Sequence, residues 1–130
     1  MALNPMYREI GEGFVKQYYQ LFDDPVQRPS LINMYNEQTS FMSFEGLQLQ
    51  GAAKIMDKLN SLPFQNITRV ITTIDCQPMF DGGVLIKVLG RLKADDDPPH
   101  PFSQIFVLSP LANSYFCQHD IFRLGIHNSE

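Results

Sequence analysis

The sequence predicts an α+β domain in which a strongly bent antiparallel sheet wraps over three N-terminal helices. Helical spacing of apolar residues is confined to the first sixty or so positions, and from Val70 onward the pattern alternates with a period of two. The later strands are apolar on both faces, so the helices can cover only one of them. A second copy of the chain is the simplest way to bury the other face, so we predict a homodimer formed through the sheet.

The helices are predicted from capping residues and from apolar spacing. Asn4-Pro5 is typical of a helix start, and the following apolar residues extend this helix to about Phe22. A second, short helix is expected from Pro29 to Tyr35. The third occupies Gly51 to Ser61, and Pro63 stops it. The apolar positions that define the first helix are Ile10, Phe14, Val15, Tyr18, Leu21 and Phe22.

Six strands are predicted from alternation and turn residues. Phe41 to Phe44 forms a hairpin with the segment around Leu47 and Leu49, through a turn at Glu45-Gly46. Four further strands with short connections form an antiparallel meander. They are expected around residues 70–76, 84–92, 102–108 and 115–124.

Composition limits the class of partner. The chain has 130 residues, which fits one domain over residues 1–130, and its formal net charge is −4. Ten Lys and Arg residues against fourteen Asp and Glu residues supply no basic surface for nucleic acid or for an anionic membrane. A basic protein partner remains compatible with this balance.

Cysteine content and the N-terminus indicate a protein of the cytosol or nucleus. Cys76 and Cys117 are too few for a disulfide framework and form no CxxC motif, so both are expected to be reduced. The N-terminus lacks a signal-peptide pattern, and no apolar run approaches the ~20 residues of a membrane helix. Because the chain ends soon after the last predicted strand, we expect no appended domain.

Two acidic segments are candidate binding sites. The loop Asp95-Asp96-Asp97 lies between two strands and is stiffened by prolines, which reduces the entropy lost on docking. It is interpretable as a solvated acidic loop, a calcium site or a docking site for Lys or Arg of a partner. Calcium is the weaker reading, because the alternating ligands and glycine of a calcium loop are missing. Glu45, in the hairpin turn, is either a surface residue or part of a pocket rim.

Motifs for catalysis are missing from the sequence. His100, His119 and His127 lack metal-ligand spacing, and His119 and Asp120 are adjacent in a strand, so they face opposite sides. There is no nucleophile elbow, P-loop or dinucleotide fingerprint. These absences are only weak evidence against catalysis, because cavity enzymes often lack short motifs. We expect no cofactor and no metal.

Several segments, in order over essentially the whole chain, resemble the nuclear transport factor 2 family. Each alone is a weak signal, but their combination is specific. They are residues 10–23, Phe44-Glu45-Gly46 with Gln50-Gly51, residues 59–65, residues 90–98, and residues 120–124 with His127-Asn128.

The resemblance implies a cone-like fold, a homodimer and a hydrophobic cavity at the wide end of the cone. In this family the GDP-bound form of the small GTPase Ran inserts an aromatic of its switch region into the cavity, and its basic residues meet acidic residues at the rim. Phenylalanine-glycine repeats of nucleoporins bind elsewhere on the dimer. The implied role is non-enzymatic: import of Ran into the nucleus, by a protein of the cytoplasm and nucleus that is enriched at the nuclear pore.

Matching residues carry the family's roles as expectations. Glu45, Asp95 and Asp97 match the rim that binds Ran. Tyr7 falls where the family commonly has a tryptophan of the repeat-binding patch, and Phe44 also replaces a common tryptophan. The expected cavity wall consists of Phe44, Leu62, Phe64, Ile67 and Phe122.

Two alternatives stay open on the sequence alone. Related cone folds host isomerases and dehydratases, which place a carboxylate or histidine inside the cavity. The same fold also serves as a dimerisation module in longer RNA-export adaptors. Asp75, His119 or Asp120 inside a closed cavity would favour the enzyme.

Overall fold

The computed structural model describes residues 3–125, which contain two α-helices, one 3₁₀ helix and six strands. The helices are α1 (Tyr7–Phe22), the 3₁₀ helix (Arg28–Met34) and α2 (Ala52–Asn60). The strands are β1 (Phe41–Phe44), β2 (Leu47–Gln50), β3 (Ile67–Pro78), β4 (Val84–Ala94), β5 (His100–Leu111) and β6 (Ser114–Leu124).

The predicted elements are present, with two local differences. The helix α1 begins at Tyr7 rather than next to Asn4, because the Asn4 side chain accepts a hydrogen bond from the Met6 backbone N–H (2.8 Å) in a turn before the helix. The second helical segment is a 3₁₀ helix rather than an α-helix. Its Pro29 supplies the fixed φ of a first turn but no backbone donor.

The sheet curls around the helices without closing, and its strand order is β2-β1-β6-β5-β4-β3. The antiparallel meander of β3 to β6 is confirmed, as is the two-residue hairpin between β1 and β2. The sequence did not reveal that β1 pairs in parallel with β6, where Phe44 lies opposite Phe122. This pairing places the Glu45 turn beside the end of the last strand.

The core lies between the inner face of the sheet and the helices. Val84, Ile86 and Val88 point inward from β4 and are fully buried, while Leu85 and Leu89 point outward and are 37% and 40% exposed. On the inner face, the Phe106 ring lies 4.8 Å from that of Tyr18 on α1. The predicted α+β fold, a bent sheet over helices, is therefore confirmed.

The structure of residues 3–125 can be compared with the expected reduced cysteines and with the expected lack of a membrane helix. Cys76 and Cys117 are both free thiols, and burial raises the pKa of the Cys117 thiol well above its ordinary value. Between residues 3 and 125, no helix is both long and apolar enough to cross a bilayer.

Candidate functional site

A cavity of about 270 Å³ opens between the curled sheet and the helices. Its wall is largely apolar and includes Phe44, Phe64, Ile67 and Phe122. The rings of Phe44 and Phe122 stack with their centroids 5.0 Å apart, because the parallel pairing of β1 with β6 sets these residues side by side. A benzene molecule occupies an apolar cavity of roughly 150 Å³, so this cavity has room for one aromatic side chain.

The Phe64 part of the wall is held by a buried arginine. Arg28 is 5% exposed, and it donates hydrogen bonds to the backbone carbonyls of Phe22 (2.7 Å) and Gln65 (2.8 Å). Its guanidinium also lies 5.7 Å from the centroid of the Phe64 ring, within range of a cation–π contact. Leu62, expected in the wall, does not line the cavity. Its N–H still bonds to the carbonyl of Leu59 at the end of α2, and its side chain packs against the core.

Glu45 lines the mouth of the cavity in a fixed position. It adopts a left-handed backbone conformation (φ 51°), and Gly46 follows with φ 89°, so the pair forms the tight turn of the hairpin. The Glu45 backbone N–H donates to the Phe122 carbonyl (3.1 Å), and its Oε1 accepts from the backbone N–H of Leu124 (2.7 Å). The carboxylate is thereby oriented before any partner arrives.

Asp95 and Asp97, expected to act alike, occupy different positions. Asp97 lines the cavity, whereas Asp95 does not. The Asp95 carboxylate accepts hydrogen bonds from the backbone N–H groups of Asn66 (2.9 Å) and Gln65 (3.0 Å), and these bonds lower its pKa. Asp95 therefore ties the acidic loop to the segment that carries Phe64, and Asp97 is the carboxylate left at the mouth.

The chain is similar to known proteins over nearly its whole length. The family profile described as "Nuclear transport factor 2 (NTF2) domain" matches residues 10–124. The chain belongs to the nuclear transport factor 2 family. A probable nuclear transport factor 2 of Caenorhabditis elegans is 44% identical over 99% of this chain and 100% of its own length. Nuclear transport factor 2 of Saccharomyces cerevisiae is 43% identical over 92% of this chain and 94% of its own length.

The fold of a family member agrees with this assignment. The structure of nuclear transport factor 2 from Cryptosporidium parvum superimposes with a TM-score of 0.90 at 40% identity, covering 96% of this chain and 99% of that one. This protein is accordingly a carrier in nuclear transport rather than an enzyme. A role in nucleocytoplasmic transport places it in the cytoplasm and nucleus.

A buried carboxyl group lies next to the cavity, and both of its oxygens already have hydrogen-bond partners. Asp120 is fully buried, and its Oδ1 accepts a hydrogen bond from Nε2 of Gln104 (2.7 Å). Its Oδ2 lies 2.9 Å from the hydroxyl of Tyr18 and 2.8 Å from that of Tyr35. Tyr18 and Gln104 line the cavity, but Asp120 does not, so it offers no free acid or base to an occupant. Asp75 and His119, the other acid–base candidates, are exposed.

The geometry of this network favours a proton on Asp120. The two tyrosine hydroxyls also lie 2.8 Å from each other, so three oxygens make three mutual contacts. Two phenolic hydrogens fill only two of these contacts, and the carboxyl proton fills the third. Desolvation by burial, the largest cause, raises the pKa of Asp120 and favours the same protonated form.

We expect this protonation to make stability depend on pH. The folded-state pKa of Asp120 is raised above its unfolded value near 4, so its contribution is complete below about pH 4. That contribution is lost as pH rises through the folded-state pKa. The variant Asp120→Asn keeps an acceptor for Gln104 and a donor for the tyrosines but does not titrate. Urea unfolding at pH 5 and pH 8 should show a larger loss of stability in the wild type than in this variant, and equal losses would contradict the assignment.

The sequence analysis missed the two buried arginines of this site and considered Asp120 only as a candidate for the enzyme alternative. Arg69 on β3 lines the cavity and forms a salt bridge to Asp23 (2.7 Å), while Arg28 and Asp120 are buried in the same region. The sequence offered one signal for Arg69: a charged residue at an inward position of a strand with alternating apolar residues. The bulge between Ile71 and Thr73 interrupts that alternation and so hides the signal.

Tyr7, expected to bind nucleoporin repeats, is half-buried at the first position of α1. It lies close in sequence to Leu3 and Met6, which are 47% and 51% exposed. His119 points outward and stacks on Phe41, as its strand position predicts. No cluster of residues in the described range could hold a metal ion, and His127 lies outside that range.

Proposed function

We propose that this carrier binds the GDP-bound form of Ran by taking an aromatic side chain of Ran into the cavity. The observation that supports this is the combination of an apolar pit and two carboxylates, those of Glu45 and Asp97, in its lining. An inserted ring removes apolar surface from water, and basic residues that flank the ring pair with the carboxylates. The family of the chain supports the same partner, and import of Ran into the nucleus follows as the role.

The energetics suit a carrier that must release its cargo. Burying a Phe-sized side chain contributes roughly 1.5–3 kcal/mol, and each exposed ion pair contributes roughly 0.2–1 kcal/mol. These contributions are small enough for the complex to dissociate readily, as release of cargo requires. Discrimination between nucleotide states then follows from movement of the switch segment of Ran, which withdraws the aromatic.

The decisive experiment is a pull-down of Ran loaded with GDP or with a non-hydrolysable GTP analogue. We expect retention of the GDP form alone. Equal retention of both forms, or of neither, would overturn the proposal.

The two loop aspartates should respond differently to substitution. Asp97→Ala is expected to weaken binding of GDP-bound Ran about two- to fivefold and to reduce the salt dependence of the affinity, because it removes a rim charge. Asp95→Ala is expected to lower the melting temperature, because it releases the N–H groups of Gln65 and Asn66, and to leave the salt dependence unchanged. Isothermal titration at 50 and 300 mM salt, with thermal unfolding of each variant, tests this contrast. Identical behaviour of the two variants would contradict it.

We further propose that the outer face of the sheet binds a second copy of the chain. Strand register brings apolar side chains together there: Leu85 lies opposite Val107, and Ile105 lies opposite Ile121. Leu85 and Ile121 are 37% and 43% exposed, and Leu89 on the same face is 40% exposed. Exposed apolar side chains grouped in this way are typical of a protein interface.

A charge placed on this face should dissociate the dimer. Ile121→Glu is expected to convert the protein to a monomer in light scattering after size exclusion, because an unpaired carboxylate would be buried between the two sheets. Leu111→Glu is the matched control, since Leu111 is 58% exposed at the end of β5. A dimeric Ile121→Glu variant, or a monomeric wild type, would contradict the interface.

Nucleoporin repeats are proposed to bind at the start of α1. Tyr7, with exposed Leu3 and Met6 nearby in sequence, offers an apolar surface for phenylalanine side chains. This binding would enrich the carrier at the nuclear pore.

A further inference from the structure

Arg69 brings an unsatisfied donor to the cavity wall. Its side chain is 4% exposed, and its Nε and Nη2 bond to the carboxylate of Asp23 at 3.0 and 2.7 Å. The guanidinium carbon lies 3.9 Å from the centroid of the Tyr19 ring and 4.9 Å from that of Phe102. In residues 3–125, Nη1 of Arg69 is the only buried side-chain nitrogen or oxygen that lacks a hydrogen-bond partner. Such groups are rare and call for an explanation.

The other buried polar side chains of the wall are already satisfied. The Tyr18 hydroxyl contacts Tyr35 and Asp120. Gln104 donates to Asp120 from Nε2 and accepts a hydrogen bond from the Tyr19 hydroxyl at Oε1 (2.7 Å). Among the fully buried polar atoms of the wall in residues 3–125, Nη1 of Arg69 alone therefore lacks a partner, and it is a donor. His100 also lines the cavity, but it is only half-buried.

The charge around Arg69 determines which acceptor fits. Asp23 neutralises the guanidinium, and the mouth of the cavity carries the carboxylates of Glu45 and Asp97. An anionic acceptor would meet repulsion at the mouth, and the charge of Arg69 is already balanced by Asp23. A neutral oxygen, such as a carbonyl or hydroxyl, meets neither penalty.

We infer that the cavity recognises an aromatic ring that carries, or is directly followed by, a neutral oxygen acceptor for the N–H of Arg69 Nη1. The volume of about 270 Å³ accommodates one ring with a small substituent. Nη1 is buried beneath neighbouring atoms, so an acceptor can bond to it only after some of those atoms move. This inference deepens the proposed function, because it specifies what the inserted aromatic group must bring.

Two small probes of nearly equal shape test the inference. Acetophenone carries a carbonyl where α-methylstyrene carries a methylene group, so the pair differs in the acceptor alone. After correction for water–octanol partition, we expect acetophenone to bind the wild-type protein roughly tenfold more tightly, as a hydrogen bond to a charged donor allows. Benzoate should bind more weakly than acetophenone. Amide chemical-shift titrations measure these affinities, and equal corrected affinities of the first pair would overturn the inference.

The same titration reports on Arg69 itself. The Nε–H resonance of Arg69 should shift with acetophenone and move far less with α-methylstyrene. In the double variant Asp23→Asn with Arg69→Met, which removes both charges together, the preference for acetophenone should disappear while α-methylstyrene still binds. A preference that persists in this variant would assign it to another group and overturn the inference.

A final arm distinguishes the source of the acceptor. If GDP-bound Ran shifts the Arg69 Nε–H resonance as acetophenone does, the acceptor belongs to the inserted segment of the partner. If Ran binds without that shift, the acceptor chemistry belongs to a free small molecule. Should Ran fail to bind at all, the proposed function fails, while the probe comparison still decides the role of Arg69.

Discussion

Replacing Glu45 by lysine is expected to abolish detectable binding of GDP-bound Ran while the fold is retained. The Glu45 carboxylate is oriented at the cavity mouth by the backbone N–H of Leu124, so a partner's cation meets it without a cost of reordering. Reversing its sign replaces an attraction with a repulsion beside the inserted ring. We expect a loss of at least about 30-fold in affinity, the equivalent of ~2 kcal/mol, because charge reversal removes an ion pair and also adds a repulsion.

Two variants separate the effect of this position from that of net charge. Glu45→Gln keeps an acceptor for the Leu124 N–H and removes only the charge, so its affinity should lie between those of the wild type and the lysine variant. Glu12→Lys makes the same change of charge at an exposed position of α1 and should bind normally. Isothermal titration with GDP-bound Ran measures all four proteins. Undiminished binding by Glu45→Lys would refute the rim assignment.

Asp23→Ala is expected to cause the largest loss of stability among the single substitutions considered. It leaves the Arg69 guanidinium charged, buried at 4% exposure and without its carboxylate. Removing one partner of a buried ion pair typically costs about 3–5 kcal/mol, because the remaining charge has no compensation. We expect about 3 kcal/mol here, since Asp23 itself is 19% exposed and water can partly replace it.

Urea unfolding provides the measurement, with two comparisons built in. Asp57→Ala, at an exposed position of α2, should change the free energy of unfolding by no more than about 0.5 kcal/mol. The double variant Asp23→Asn with Arg69→Met should be more stable than Asp23→Ala alone, because it leaves no unpaired charge. If Asp23→Ala unfolds at the same urea concentration as the wild type, the ion pair contributes nothing measurable.

Sequence alone predicted the elements of this fold better than their contacts. The turn at Glu45-Gly46 and the strand Phe41–Phe44 follow from local turn chemistry and alternation, and both are present as predicted. The parallel pairing of β1 with β6 joins segments from opposite thirds of the chain, and no local pattern encodes it. The position of the cavity depends on that pairing, so it could be assigned only by resemblance.

The resemblance in turn did not determine the role of each side chain. Asp95 and Asp97 are the same residue type in one acidic loop, so the sequence does not distinguish them. Of the two, only the Asp95 carboxylate accepts hydrogen bonds from backbone N–H groups. Leu62 and Phe64 are both apolar and two positions apart, yet only Phe64 lines the cavity, because the Leu62 N–H bonds back to the carbonyl of Leu59 in α2. Buried charges such as Arg69 are the hardest to foresee, because their partners lie far away in the sequence.

The parallel pairing of β1 with β6 affects the order in which the protein folds during translation. During translation, the hairpin that carries Phe44 and Glu45 emerges long before the strand that carries Phe122. Until the last dozen or so residues of the described chain leave the ribosome, that hairpin has no neighbour on its inner edge, and its apolar side chains remain available to chaperones or to aggregation. The cavity is thus among the last features to assemble, and a nascent chain stalled before residue 114 lacks the strand that completes its wall.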